Sequence, residues 1–134
     1  MKGVDTNILA RYFSEDDLVQ LEQASQLIDQ TAQMGDYLLV NTIVLCELVW
    51  TLESRYKYKK CPLIIVIESL LDTEVFVFED RRAIEQALDT YRMSKAGFAD
   101  CLINRINQDL GSTETYTFDR TTEGLDGFTV LVGT

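Results

Sequence analysis

Short apolar runs rich in β-branched and aromatic residues alternate along the chain with longer stretches whose apolar positions recur every three or four residues. The first period suits strands and the second suits helices, so their alternation predicts an α/β fold of βαβ units around a mainly parallel sheet. Strands are expected at Lys2 to Asp5, Tyr37 to Val40, Val75 to Phe78, Thr115 to Phe118 and Phe128 to Val132. That gives a sheet of about five strands flanked by helices.

The helical pattern fills the gaps. A short helix is expected from Asp5 to about Tyr12. A second starts near Ser14, with Glu15, Asp16 and Asp17 in an acidic first turn and Leu18, Leu21, Leu27 and Ile28 on its apolar side. A third spans about Thr42 to Tyr56, and a fourth begins near Pro62, a residue suited to an early helical position. Asp80 is placed to cap a fifth, running to about Ser94. The sixth runs from about Phe98 to Leu110, with Ala99, Leu102, Ile103, Ile106 and Leu110 expected inside and Gly111 as its stop. No repeat, low-complexity tract or linker interrupts this order, so a single domain over residues 1–134 is expected.

Composition adds boundaries to that picture. At 134 residues, 46% hydrophobic and 25% charged, the chain has the make-up of an ordinary globular domain able to bury a core without disulfides. The amino terminus runs straight into a strand pattern with no signal-peptide profile, and the central apolar run Leu63 to Ile67 is far short of the roughly 20 residues that span a bilayer. Cys46, Cys61 and Cys101 are an odd number set among apolar neighbours, which predicts reduced, buried thiols and a cytoplasmic protein without membrane attachment.

Charge narrows the chemistry. A formal net charge of -10 argues against a nonspecific nucleic-acid coat protein, whose affinity comes from cationic side chains. It leaves a nuclease open, because bound cations offset carboxylates where a phosphate sits. The chain has no histidine, so acid-base work falls to carboxylates, cation-bound water or lysine.

Acidic residues at the carboxyl ends of strands mark where an α/β sheet gathers its functional groups. Asp5 closes the first strand in Val4-Asp5-Thr6-Asn7, and Asp119 closes the fourth in Thr117-Phe118-Asp119-Arg120. Glu47 stands mid-helix within Val44-Leu45-Cys46-Glu47-Leu48-Val49-Trp50, where a carboxylate is costly to bury without a positive partner. Asp100 lies in the first turn of the sixth helix, with Asn104 one turn further along the same face. Each has a plain structural reading as well: Asp5 as a cap, Asp100 as a dipole complement, Asp119 as a turn former, Glu47 as half of an ion pair with arginine. Gathered about 5 Å apart, such carboxylates would repel by roughly 3 kcal/mol per pair at an effective dielectric near 20, a cost that a cation removes. Oxygen donors without histidine or clustered cysteine point to Mg²⁺, with Mn²⁺ as the alternative, and to phosphodiester hydrolysis as the chemistry.

These residues resemble the PIN-domain ribonucleases and, among them, the VapC toxins of bacterial toxin-antitoxin pairs. The resemblance covers nearly the whole chain through Val4-Asp5-Thr6-Asn7-Ile8-Leu9, Glu47, Phe98-Ala99-Asp100-Cys101-Leu102-Ile103 and Thr117-Phe118-Asp119-Arg120. It implies a three-layer PIN-like sandwich, with the acids meeting at the carboxyl end of the sheet, and Mg²⁺-dependent endonucleolytic cleavage of RNA. Asp5 and Asp100 are implied as metal ligands, with Glu47 and Asp119 completing the catalytic set. Thr6 and Asn7 are implied to steady the first ligand or touch substrate. The resemblance also implies a homodimer and a small cognate antitoxin. One departure is Gly97, where many relatives carry another acid, which bears on any second metal position.

Arg55-Tyr56-Lys57-Tyr58-Lys59-Lys60 interleaves cations and rings, as an RNA contact would, and also suits a solvated helix end whose charges complement the dipole. Arg120, beside Asp119, is better placed for a phosphate, with an ion pair as its structural reading. Trp50 is expected in core or dimer packing. Three rival readings stand beside the nuclease. A receiver domain wants adjacent acids after its first strand and a later lysine, where this chain has a lone Asp5 and Arg120. A dehalogenase-type phosphohydrolase wants aspartate where it has Asn7. A catalytically weak PIN-fold regulatory or binding module would keep all four acids.

Overall fold

The computed structural model describes residues 1–132. The chain divides into two compact units, one from Met1 to Arg81 and a second from Arg82 onward. In the first, β1 (Lys2–Gly3) leads to α1 (Thr6–Tyr12) and α2 (Leu18–Gln33), then β2 (Leu38–Val40), α3 (Thr42–Ser54), α4 (Lys60–Asp72) and β3 (Phe76–Phe78). These strands form a parallel sheet in the order β1-β2-β3, with Gly3 beside Leu39, and Leu38 and Val40 beside Phe76 and Phe78. Parallel neighbours need a crossover, and here each crossover is a helix pair. Leu9, Leu38, Leu45, Leu48, Leu52, Leu63, Ile67 and Leu70 are almost wholly removed from solvent. Emptying one such leucine site to alanine costs about 2–5 kcal/mol, so this set anchors the sheet edge.

The second unit contains α5 (Arg81–Arg92, whose first residue belongs to the other unit), α6 (Phe98–Asp109), β4 (Thr115–Thr117), a 3₁₀ turn at Arg120–Thr122 and β5 (Phe128–Val130). β4 and β5 pair in parallel, Thr115 beside Phe128 and Thr117 beside Val130. Tyr91 of α5 meets Phe98 of α6 edge to face, with ring centres 5.9 Å apart. α6 stops as expected: Gly111, at φ +101°, lets its own N–H reach the Gln108 carbonyl and that of Ser112 reach Asn107.

The α/β pattern with parallel pairings agrees with the sequence reading, and all five strands fall where expected, although they hydrogen-bond as a three-stranded and a two-stranded set and not as one sheet of five. They are shorter, two or three residues each, because Asp5 turns away to cap α1 and Phe118 leaves β4 as an exposed ring.

Several finer expectations give way. α2 begins at Leu18, not Ser14; Asp17 caps it, and the acids before it lie outside the helix. Ile103 and Leu110 are exposed, while Phe98, Cys101, Leu102 and Asn104 are buried, because Asn104 turns inward to a backbone partner. Cys61 is exposed, so only Cys101 of the three thiols is buried outright. Trp50 is 68% exposed and has no place in the core.

Candidate metal centre

In the first unit Asp5 follows β1 and caps α1: its Oδ1 accepts the backbone N–H groups of Asn7 at 3.1 Å and Ile8 at 3.3 Å. The capping role foreseen for it is therefore real, and it uses one oxygen. Oδ2 has no protein partner among the described residues. Thr6, half-buried, and Asn7, exposed, are the first two residues of that helix. Asp5 and Asn7 border an open groove of about 260 Å³ whose lining mixes Arg11, Gln20 and Gln23 with the apolar Ile8 and Ala24.

Glu47 sits mid-α3 but is exposed, on the side that also presents Ile43 and Trp50. Its solvation removes the burial cost argued from its apolar neighbours, and among the described residues no arginine pairs with it. Another acid at this sheet edge was missed. Glu79 directly follows β3, and its carboxylate accepts the Thr42 N–H at 3.0 Å, at the start of α3. The criterion that selected Asp5, an acid closing a parallel strand, would have found it.

The second unit holds the other two acids. Asp100 is half-buried in the first turn of α6, whose N-cap is Gly97 with no side chain to contribute. Asp119 follows β4 by one residue and caps the 3₁₀ turn. Its Oδ1 accepts the Thr121 N–H at 2.9 Å and the Thr121 hydroxyl at 2.6 Å. Burial pushes the Asp100 carboxyl above its ordinary value, and the charge of Asp119 and a hydrogen bond between the two acids push it the same way. Asp119 is held low, chiefly by the Thr121 hydroxyl and N–H, and further by Asp100. The two shifts run in opposite directions, so Asp119 ionises before Asp100 as pH rises. Gly97 adjoins them: a Cβ there would lie 3.8 Å from Asp100 Oδ2, so an acid at this position would join the pair directly.

Arg120 is exposed, and its guanidinium makes no ion pair among the described residues. The basic stretch after α3 is largely committed elsewhere. Asp16 accepts from Arg11 at 2.9 Å, Ser14 at 3.0 Å and Tyr56 at 2.9 Å, with Arg55 at 3.8 Å. Lys57 donates to the Ser54 carbonyl, and Tyr58 to that of Phe13. Helix termination and loop bracing account for most of these groups, in line with the dipole reading.

The donor set fits a hard divalent cation: carboxylate oxygens, no imidazole, and in Asp100 a half-buried carboxyl whose ionisation the Asp119 charge disfavours. Among the described residues no three acidic or thiol side chains gather as a ligand group; Asp5 and Glu47 belong to the first unit, Asp100 and Asp119 to the second.

Parallel strands with helical crossovers and acids at the strand ends define an α/β protein whose functional groups lie beyond the carboxyl ends of its strands. The PIN domain family matches residues 3–124, and the chain belongs to that family. It is 31% identical over 120 residues to a VapC ribonuclease of Aquifex aeolicus (strain VF5), covering 90% of this chain and 88% of that protein. Membership in the PIN family sets aside the receiver and dehalogenase readings.

Proposed function

We propose that this protein is a Mg²⁺-dependent endoribonuclease, with Mn²⁺ able to substitute, in which Asp5, Glu47, Asp100 and Asp119 serve one cation site. The observation that carries the reading is the facing pair Asp100 and Asp119, in which the charge of one disfavours ionisation of the other. A cation between them would let both ionise, and hard oxygen donors select magnesium or manganese. The PIN family match and a relative named as a ribonuclease support RNA as the substrate.

When bound, the ion would supply Lewis-acid stabilisation of the phosphate and a more acidic water. The chain's own groups do the rest. Asp5 offers its free Oδ2 and Asp100 its carboxylate as ligands. Glu47 and Asp119 would complete the site by holding a water in line with the phosphorus, Asp119 being fixed in place by Thr121. Arg120 and the Thr6-Asn7 helix start hold the phosphate; the unpaired guanidinium of Arg120 suits that contact.

In this reading the protein is the toxin of a toxin-antitoxin pair, a cytoplasmic homodimer neutralised by a small antitoxin. The relative's VapC name supports the pairing, and the net charge of -10 suits a basic partner segment. No helix among the described residues is long and apolar enough to cross a membrane.

The deciding experiment is cleavage of total RNA with and without EDTA, comparing the parent with Asp5→Asn and Asp100→Asn. Chelator-sensitive cutting that each substitution lowers by about 100-fold or more is expected. Undiminished cutting by either variant removes that residue from the mechanism, and a parent that binds RNA without cutting it is a binding module instead.

A further inference from the structure

One face of α6 carries Asp100, Asn104, Asn107 and Gln108, spaced so that they stack along the helix. Asp100 meets Asp119 at one end. At the other, the Asn107 side-chain N–H₂ donates to the Thr115 hydroxyl at 3.0 Å, tying the start of β4 to the helix. Between them Asn104, only 8% exposed, donates Nδ2 to the Asp126 carbonyl at 2.8 Å, while its Oδ1 is buried with no donor.

The turn that Asn104 grips lies flat against it. Gly127 has φ +94°, which strains any other residue, and a Cβ there would fall 2.6 Å from Asn104 Oδ1 and 2.4 Å from Gln108 Nε2 and displace those amides. Hydrogen bonds then run from this turn to the acidic pair. The Leu125 N–H donates to the Thr122 carbonyl, and the N–H and hydroxyl of Thr122, a residue wholly buried, both donate to the Asp119 carbonyl. Leucine branches as asparagine does but would carry no polar atom, so asparagine here leaves its Oδ1 orphaned in exchange for the one bond to the Asp126 carbonyl. A buried orphan of this kind calls for a reason, and the bond to Asp126 supplies one.

We propose that Asn104 is a positioning residue for the cation site: it clamps the turn before β5 to α6 and so fixes how far Asp119 stands from Asp100. The proposal rests on the cation-dependent reading above. Asn107 is its natural control, since that bond also joins α6 to the strand pair but lies at the end of β4 away from Asp119.

The test is binding of Mn²⁺ alone to the full chain, read by the loss of the free-ion paramagnetic resonance signal, with thermal midpoints measured alongside. Asn104→Leu is expected to bind Mn²⁺ at least about 10-fold more weakly than the parent, the effect of disturbing a group that orients a ligand. Asn107→Ala is expected to lower the midpoint and bind like the parent. Parent-like binding by Asn104→Leu, or equal weakening by both variants, overturns the proposal. Should Asn104→Leu fail to fold, Asn104→Ser removes the same bond and is read the same way. Asp100→Asn separates the two readings: if the parent binds no Mn²⁺, or Asp100→Asn binds as well as the parent, the cation site itself fails and this inference with it.

Discussion

Asp100 and Asp119 interact side chain to side chain with opposite outcomes: Thr121 holds the Asp119 carboxyl low, while burial and the Asp119 charge hold the Asp100 carboxyl above its ordinary value. The arrangement assigns roles before any ligand arrives. The exposed, hydrogen-bonded acid stays ionised, while the half-buried one titrates late.

A pH dependence follows. A carboxyl raised in the folded state contributes stability while protonated, and that contribution is lost as pH rises through its folded value. The cation-free protein should therefore lose the Asp100 contribution as pH climbs through the region just above the ordinary aspartate range. Added Mg²⁺ should raise the thermal midpoint more at pH 7 than at pH 4. Carboxyl carbon resonances would show Asp100 titrating above Asp119, and Asp119→Asn should bring Asp100 down part of the way, because burial, its largest cause, remains. An Asp100 titration untouched by Asp119→Asn would refute the coupling.

Glu47 offers the cleanest separation of function from folding. It is exposed and without an ion-pair partner among the described residues, so Glu47→Gln should change stability by no more than about 0.5 kcal/mol. RNA cleavage should nevertheless fall by about 10-fold or more, as expected on losing a group that orients a ligand or water. Denaturant midpoints measured beside cleavage rates check both halves, and a variant that cuts like the parent takes Glu47 out of the site.

Asp16 is a structural acid by the same reasoning. Tyr56, Arg11 and Ser14 donate to it and hold its carboxyl down to about 2. A depressed carboxyl contributes stability above its unfolded value and loses it as pH falls towards the folded one. Asp16→Asn should lower the thermal midpoint at pH 7 by a few degrees, the scale of one lost charged hydrogen bond in a domain this size. The gap from the parent should narrow between about pH 4 and pH 2. Melting curves across that window decide it; a gap independent of pH would mean that the network acts without the Asp16 charge.

The chain's periodicity alone specified the order of helices and parallel strands, because strand and helix repeats differ and each must bury one face. It also placed Asp5 and Asp119 at strand ends, where backbone polarity and loop geometry collect functional groups. Gly111 was legible as a helix stop, since a left-handed residue is needed there whatever surrounds it. Only the tertiary structure decided which apolar residues are inside. Trp50 and Ile103 belong to patterns that read as core, yet both face outward, because what covers a helix face is set by neighbours distant in sequence. The same holds for the Asp16 network, the Glu79 contact with α3, and Asn104. A side chain's local sequence fixes its chemical type, whereas its partners depend on chain segments 22 residues away for Asn104 and 40 for Tyr56.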